Sequence, residues 1–367
     1  ISKEHHLQQY APKEIFLFLL LFPLFSVKNV KSYLDSSLKH YLEAEKDTLY
    51  RFKNDSHINW RGILWSIVQR LVSLMQEKGT SSTDSPKCLI VDDSDLPKTG
   101  LKIEHVSKIF SHVLHRRLLG FKLLLLGYWD SKSFIGLDFS LHKEKGNNKK
   151  YLYGLKPTHR KAQYKKKRNS KSYGYKRERE LNKNKIDVTV SMIKRAVRKG
   201  LHVDYVLMDS WFICDKIIKC VEGLNKGIFV LAMGKMGKNK YELSGKEYTA
   251  KELAHKLKKQ KKEKYYKTLG AYASEVTVNY KETKLKLFFS KYSKRGKQYL
   301  LVTTNLSLSF TKAIETYSIR WGIEVFFKEA KQHFGLGKSQ SRDFDAQVAD
   351  TTICIIQYNV FSLAKRF

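Results

Sequence analysis

The sequence has no apolar run long enough to cross a bilayer. The longest, Ile15 to Phe25, is about half of the roughly 20 residues that a spanning helix needs, and Pro23 interrupts it. No basic stretch precedes it in the manner of a signal peptide, so it reads as a core helix of a cytoplasmic protein with no membrane role. Cysteine is scarce. Cys88, Cys214, Cys220 and Cys354 show no metal-ligand pairing and each sits in an apolar context, which reads as buried free thiols in a reducing compartment. Acidic residues are in deficit: 35 Asp plus Glu face 70 Lys plus Arg, for a formal net charge of +35 at pH 7. Self-repulsion on that scale disfavours a compact state unless an anionic partner offsets it. Nucleic acid is such a partner, because each neutralised phosphate releases a counterion. Charge by itself leaves a ribosomal-type or generic RNA-binding protein open beside a DNA enzyme.

What is present is a chain able to fold. Its 367 residues are 42% hydrophobic and 13% aromatic, enough for two or three compact units. Residues 1–80 read as helical, with apolar positions three and four apart in Val27, Val30, Tyr33, Leu34 and Leu38, and again in Ile63, Ile67, Leu71 and Leu74. A small lysine-rich helical unit ahead of a larger domain suits DNA binding and suits a plain helical cap nearly as well. A linker follows at 79–87. Cys88-Leu89-Ile90-Val91 then reads as a buried strand ending at Asp92-Asp93, and Phe121–Trp129 and Ser133–His142 as two more strands of an antiparallel meander.

Residues 143–180 are basic and tyrosine-studded, with Arg160, Lys165, Lys166, Lys167, Arg168 and Arg177 among the cations. Apolar residues are too sparse there for the segment to fold alone. It reads equally as a strand-tracking loop, whose cations bind phosphate while rings stack on bases, and as a solvated basic loop. Beyond it come a helix over Leu181–Lys199, a strand over Val203–Met208 that ends on Asp209, and a helix from Trp211 to Val221. Strand-like patterns return over 227–304, around a basic stretch from Lys251 to Lys267, and read as a β-rich insertion. The organisation expected is therefore α/β: a helical region at 1–80, core segments at 81–226 and 305–367, and the insertion at 227–304 between them.

Tyr317, Arg320, Glu324 and Lys331 carry the chemistry. On one helix they fall within about 60° of one another, with Lys328 beside them. The opposite arc is apolar: Ile319, Ile323, Phe326, Phe327, Ala330 and Phe334. A docked helix so built presents one carboxylate among cations and a phenol, which places a metal-binding acid beside phosphate-gripping side chains. The companions sought are acids at the ends of buried strands, where the backbone is rigid. Asp92 and Asp209 both end short apolar runs. Asp93 and Asp95 compete with Asp92, but strand alternation turns Asp93 away and Asp95 lies past the strand end. Two Asp and one Glu suit a pair of Mg²⁺ ions, with Mn²⁺ a substitute, set about 3.5–4 Å apart on either side of a reacting phosphate. His105, His112 and His115 are close in sequence but lack Cys partners, and read as surface or packing residues.

The string Tyr317-x-x-Arg320-x-x-x-Glu324-x-x-x-x-x-x-Lys331 resembles the Tyr-Arg-Glu-Lys signature of the insertion-sequence-four family of bacterial DDE transposases. LIVDDSDLPKTG, with Ser94 where Thr is common, and VLMDSWF resemble that family's first and second Asp blocks. The resemblance runs from about Leu49 to the C-terminus. It implies a ribonuclease-H-like catalytic core with a β-rich insertion before the Glu helix. It also implies metal-dependent cleavage of transposon ends, hairpin formation and resolution, and strand transfer into target DNA. Asp92, Asp209 and Glu324 would hold the metal, while Tyr317, Arg320 and Lys331 would touch the DNA end. The insertion would supply an aromatic to stack on a flipped base, a role for which Trp211 is the alternative. The implied partners are terminal inverted repeats, target DNA and a second copy of the chain, in a bacterial cytoplasm on the nucleoid. A structure-specific nuclease of the same fold and a catalytically silent DNA-binding descendant are the competing readings.

Overall fold

The computed structural model describes residues 10–27, 30–40, 46–79, 85–364 and 366. Of the expected linker at 79–87, residues 80–84 lie outside this set. The N-terminal helices are α1 (Pro12–Leu21), α2 (Val30–Leu34), α3 (Lys46–Asn54) and α4 (Trp60–Glu77). Asn59 starts α4 by accepting the Gly62 amide at 2.9 Å, a side-chain cap for one of the amides that a helix start leaves unpaired.

Among the described residues, twelve strands form one mixed sheet. Its antiparallel half holds β1 (Cys88–Pro97), β2 (Ser107–Ser111), β3 (Arg116–Trp129) and β4 (Phe134–His142). β5 (Tyr205–Met208) lies parallel to β1, and β6 (Phe229–Met233) parallel to β5. The sheet then continues without a break through β7 (Lys240–Leu243), β8 (Lys246–Thr249), β9 (Lys264–Tyr266), β10 (Ala271–Tyr280), β11 (Thr283–Lys291) and β12 (Tyr299–Thr303). The order is β2-β3-β1-β5-β6-β12-β11-β10-β7-β8, with β4 also on β3 and β9 on β10. β1, read as ending at Asp92-Asp93, runs on to Pro97, because its second half pairs with β3 from Asp93↔Leu124 to Pro97↔Gly120. Gly120 permits this approach: a Cβ there would lie 2.3 Å from the Leu96 carbonyl oxygen.

The remaining helices are α5 (Pro157–Lys161), α6 (Tyr173–Glu180), α7 (Lys185–Arg198), α8 (Asp215–Glu222), α9 (Ala250–Lys259), α10 (Phe310–Ser318), α11 (Trp321–His333) and α12 (Phe344–Ala364). The single helix expected to carry Tyr317 through Lys331 is two helices, broken at Ile319 and Arg320. α12 is buried on nearly all sides, as a helix at the centre of a core must be. It touches α1, α3, α4, α11 and β4. Asn359 fastens it to β4 by accepting the Gly136 amide at 2.8 Å and donating to the Gly136 carbonyl at 2.9 Å. The core of the N-terminal helices is continuous with that of the sheet. β7, β10, β11 and α9 enclose a second, smaller core around Leu253, Leu257, Leu287 and Phe289. Among the described residues no helix is long and apolar enough to cross a membrane.

Candidate active site

Parallel pairing places two acids side by side. Val91 of β1 stands in register with Met208 of β5, so Asp92 and Asp209 follow as neighbours on adjacent strands, which lie about 4.8 Å apart. Asp209 leaves its strand and turns: its Oδ1 accepts the amides of Trp211 at 2.8 Å and Phe212 at 3.3 Å. That turn fixes the carboxylate at the strand end.

Alternation along β1 sorts its three aspartates. Asp92 and Ser94 face α11, where their partners are Arg320 and Lys331. Asp93 and Asp95 face the other way and pair with Lys185 of α7 and Lys122 of β3. Asp93 and Asp95 are thus committed to the opposite face of the strand. Lys185 escaped the sequence reading because it lies far along the chain; its Nζ also sits 4.0 Å from the Trp211 ring centroid.

The third acid enters from α11. Glu324 stands in its first turn, and Arg320 bridges it to β1, its Nη1 donating to Asp92 Oδ2 at 3.0 Å and its Nη2 to Glu324 Oε1. Burial lifts the Asp92 carboxyl to about 7; Arg320 and the Asp93 amide oppose the rise, and the Asp209 and Asp93 charges add to it. Burial works against the Arg320 charge, yet Tyr317, Asp92 and Glu324 outweigh it and raise its pKa. Tyr317 lies close enough to both aspartates for their charges to reinforce burial, which pushes its phenol up to about 12. Lys331 donates to the Ser94 hydroxyl at 2.6 Å, and burial lowers its pKa. Lys328 is exposed one turn beyond Glu324. Arg320 thus links Asp92 to Glu324, Asp209 lies beside Asp92, and Lys331 meets Ser94 two residues on, despite the break between α10 and α11.

Three carboxylates on rigid elements supply hard oxygen donors for divalent cations. A guanidinium already spans two of them, so a positive charge fits there. Asp92 is the shared member, next to Asp209 in the sheet and linked to Glu324 through Arg320. The three do not bring one oxygen each within 4.8 Å of the other two. Among the described residues only Glu104, His105 and Glu178 form such a group. Arg168 occupies it instead: its Nη1 and Nη2 hold the two Glu104 oxygens at 2.9 and 2.6 Å.

This arginine sharpens the reading of 143–180. Part of the segment is docked by buried ion pairs, while Lys149, Lys165, Lys167 and Lys171 stay exposed. Arg168 has a fully buried side chain held by Glu104, Asp343 and Asp345, and Lys166 reaches the same two aspartates at 2.9 and 2.8 Å. Arg177 is buried too, donating to the Phe139 carbonyl at 2.7 Å and pairing with Glu180. The cysteines also differ from expectation, since Cys88 and Cys354 are buried but Cys214 and Cys220 are partly exposed; all four are free thiols.

The family model described as "DDE superfamily endonuclease" matches residues 15–226, and that described as "Archaeal putative transposase ISC1217" matches residues 142–344. The chain belongs to the DDE superfamily of endonucleases. The first match spans Asp92 and Asp209, and the second spans Asp209 and Glu324. Membership implies nuclease or transposase activity for this DDE protein. No curated protein matches it. Among solved structures it is similar to a piggyBac transposase synaptic complex with hairpin DNA, at 13% identity and a TM-score of 0.44, over 99% of this chain and 70% of that one. It is also similar to the NurA nuclease from Sulfolobus solfataricus, at 11% identity and a TM-score of 0.29, over 88% of this chain and 99% of that one.

Proposed function

We propose that this DDE protein is a DNA transposase of the insertion-sequence-four type, which cuts the ends of its own element and joins them to target DNA. The observation that carries the reading is the meeting of Asp92 and Asp209 in sheet register with Glu324 across Arg320. The strand order, with antiparallel β3 and β4 on one side of β1 and parallel β5 and β6 on the other, supports a ribonuclease-H-like core. In this reading the described parts of 81–226 and 305–367 make that core, residues 227–304 extend it, and helices α1 to α4 form a unit that helps bind DNA.

Asp92, Asp209 and Glu324 would hold two Mg²⁺ ions, or Mn²⁺ in their place. When bound, such ions lower the pKa of an attacking water or hydroxyl and neutralise charge on the leaving oxygen. Tyr317, Arg320, Lys328 and Lys331 surround Glu324 with donors and positive charge, which suits them to hold a phosphate in line with the acids. The Trp211 ring, 44% exposed beside Asp209, offers a face on which a base at the cut can stack. The partners are then terminal inverted repeats, target DNA and a second copy of the chain in a synaptic complex, in the cytoplasm where that DNA lies.

Incubation with Mg²⁺ or Mn²⁺ and a duplex carrying the element's terminal repeat tests the reading. Nicking followed by joining to a second DNA is the expected result. Nicking without joining points to a structure-specific nuclease, and binding without nicking to a silent descendant.

A further inference from the structure

This inference rests on the reading of Asp92, Asp209 and Glu324 as metal-holding acids. Arg320 divides its two terminal nitrogens between two members of that set, Nη1 on Asp92 and Nη2 on Glu324. Its fork spans β1 and α11 and uses an oxygen of each acid, so a cation held by both would have to compete with it. The Arg320 and Asp92 side chains are 16% and 18% exposed and that of Glu324 35%, so it is the Asp92 carboxylate that is most unfavourable without a counter-charge. We propose that Arg320 is the stand-in cation of the metal-free site, displaced from Asp92 and Glu324 when divalent ions bind and thereby released to a DNA phosphate.

Competition for oxygens is the physical basis. A divalent ion needs the carboxylate lone pairs that the guanidinium now uses, and two positive charges a few ångströms apart repel. A phosphate is the anion best matched to a displaced planar fork. Arg320 sits where α10 ends and α11 begins, so its side chain can swing without unwinding either helix. Metal and DNA then strengthen each other's binding by the same factor, as linkage requires. Arg320 is a positioning residue for the two acids in the empty site and a phosphate contact in the loaded one.

Calorimetric titration of Mn²⁺ into the full chain without DNA tests this on wild type, R320Q, R320K and E324Q. R320Q is expected to bind Mn²⁺ on the order of tenfold more tightly than wild type, since no internal cation must leave. R320K, a point charge that engages one acid at a time, is expected to show a smaller gain. Adding a terminal-repeat duplex should tighten Mn²⁺ binding in wild type and do so less in R320Q. Equal or weaker Mn²⁺ affinity in R320Q, with its melt still cooperative, overturns the inference. Should R320Q fail to fold, an R320K affinity equal to wild type overturns it. E324Q separates this outcome from the underlying reading: wild-type binding that is lost in E324Q upholds the metal site whatever Arg320 does. Absence of Mn²⁺ binding to wild type overturns both.

Discussion

Asp92 and Asp209 lie beside each other because the residues before them, Val91 and Met208, are in register on parallel strands. The pair is thus a consequence of sheet topology. Removing either carboxylate, as Asn, is expected to reduce cleavage by more than about 100-fold, beyond what losing an outer-shell partner of a metal site typically costs. DNA binding should persist. Gel-shift and nicking assays on the same preparations check both.

The Asp92 carboxyl, raised to about 7 against an ordinary 3.8, sets a pH dependence. An acid whose folded pKa is raised favours folding below its unfolded value, and that contribution is lost as pH rises through the folded value. Metal-free protein should therefore lose stability between about pH 4 and pH 7 on account of this group. D92N, which cannot ionise, should melt a few degrees higher than wild type at pH 8 and show no such gain at pH 4. Calorimetric melts at the two pH values check it. Metal affinity should rise over the same window, because a proton competes for the ligand.

Lys328 and Lys331 differ in their surroundings, and salt titrations should reveal it. Lys328 is exposed, so K328A is expected to lower the slope of log affinity against log salt by about 1. Lys331 is half-buried on Ser94. K331A should reduce cleavage as well as binding, because its loss also frees the hydroxyl that shares the Asp92 face of β1.

Arg168 provides a structural counter-test. Its buried fork compensates Glu104, Asp343 and Asp345, and removing one partner of such a network typically costs about 3–5 kcal/mol. R168A is expected to melt many degrees lower, whereas K149A, on an exposed residue of the same basic segment, should leave the melting temperature unchanged.

The contrast between these two residues shows what was legible in the sequence. Glu324 stood out because its cue is local: a helical spacing that holds even though the helix breaks at Ile319 and Arg320, just ahead of Gly322. Strand alternation turns Asp92 and Asp93 to opposite faces but does not say which face holds the site. Asp95, read as lying past the strand end, is inside β1 and shares the face of Asp93, where Lys122 and Lys185 pair with them. The length of β1 was not legible, because its second half is polar and owes its extended form to β3. Arg168 looked like one cation among many, since its partners lie at 104, 343 and 345 and only the folded chain brings them together. α12 shows no polar stripe for a periodicity to reveal, being buried on nearly every side, with Asp345, Gln347, Thr351, Thr352, Gln357 and Asn359 among its buried residues.

Whether Asp92, Asp209 and Glu324 hold the divalent ions is read most directly by iron cleavage. Loading the protein with Fe²⁺ and generating hydroxyl radicals at the bound iron cuts the backbone near the ligands, and the fragments report their positions. Cuts close to residues 92, 209 and 324, suppressed by excess Mg²⁺ and absent in E324Q, are expected. Cuts clustered at Glu104, His105 and Glu178 instead, unaffected by E324Q, place the ions elsewhere.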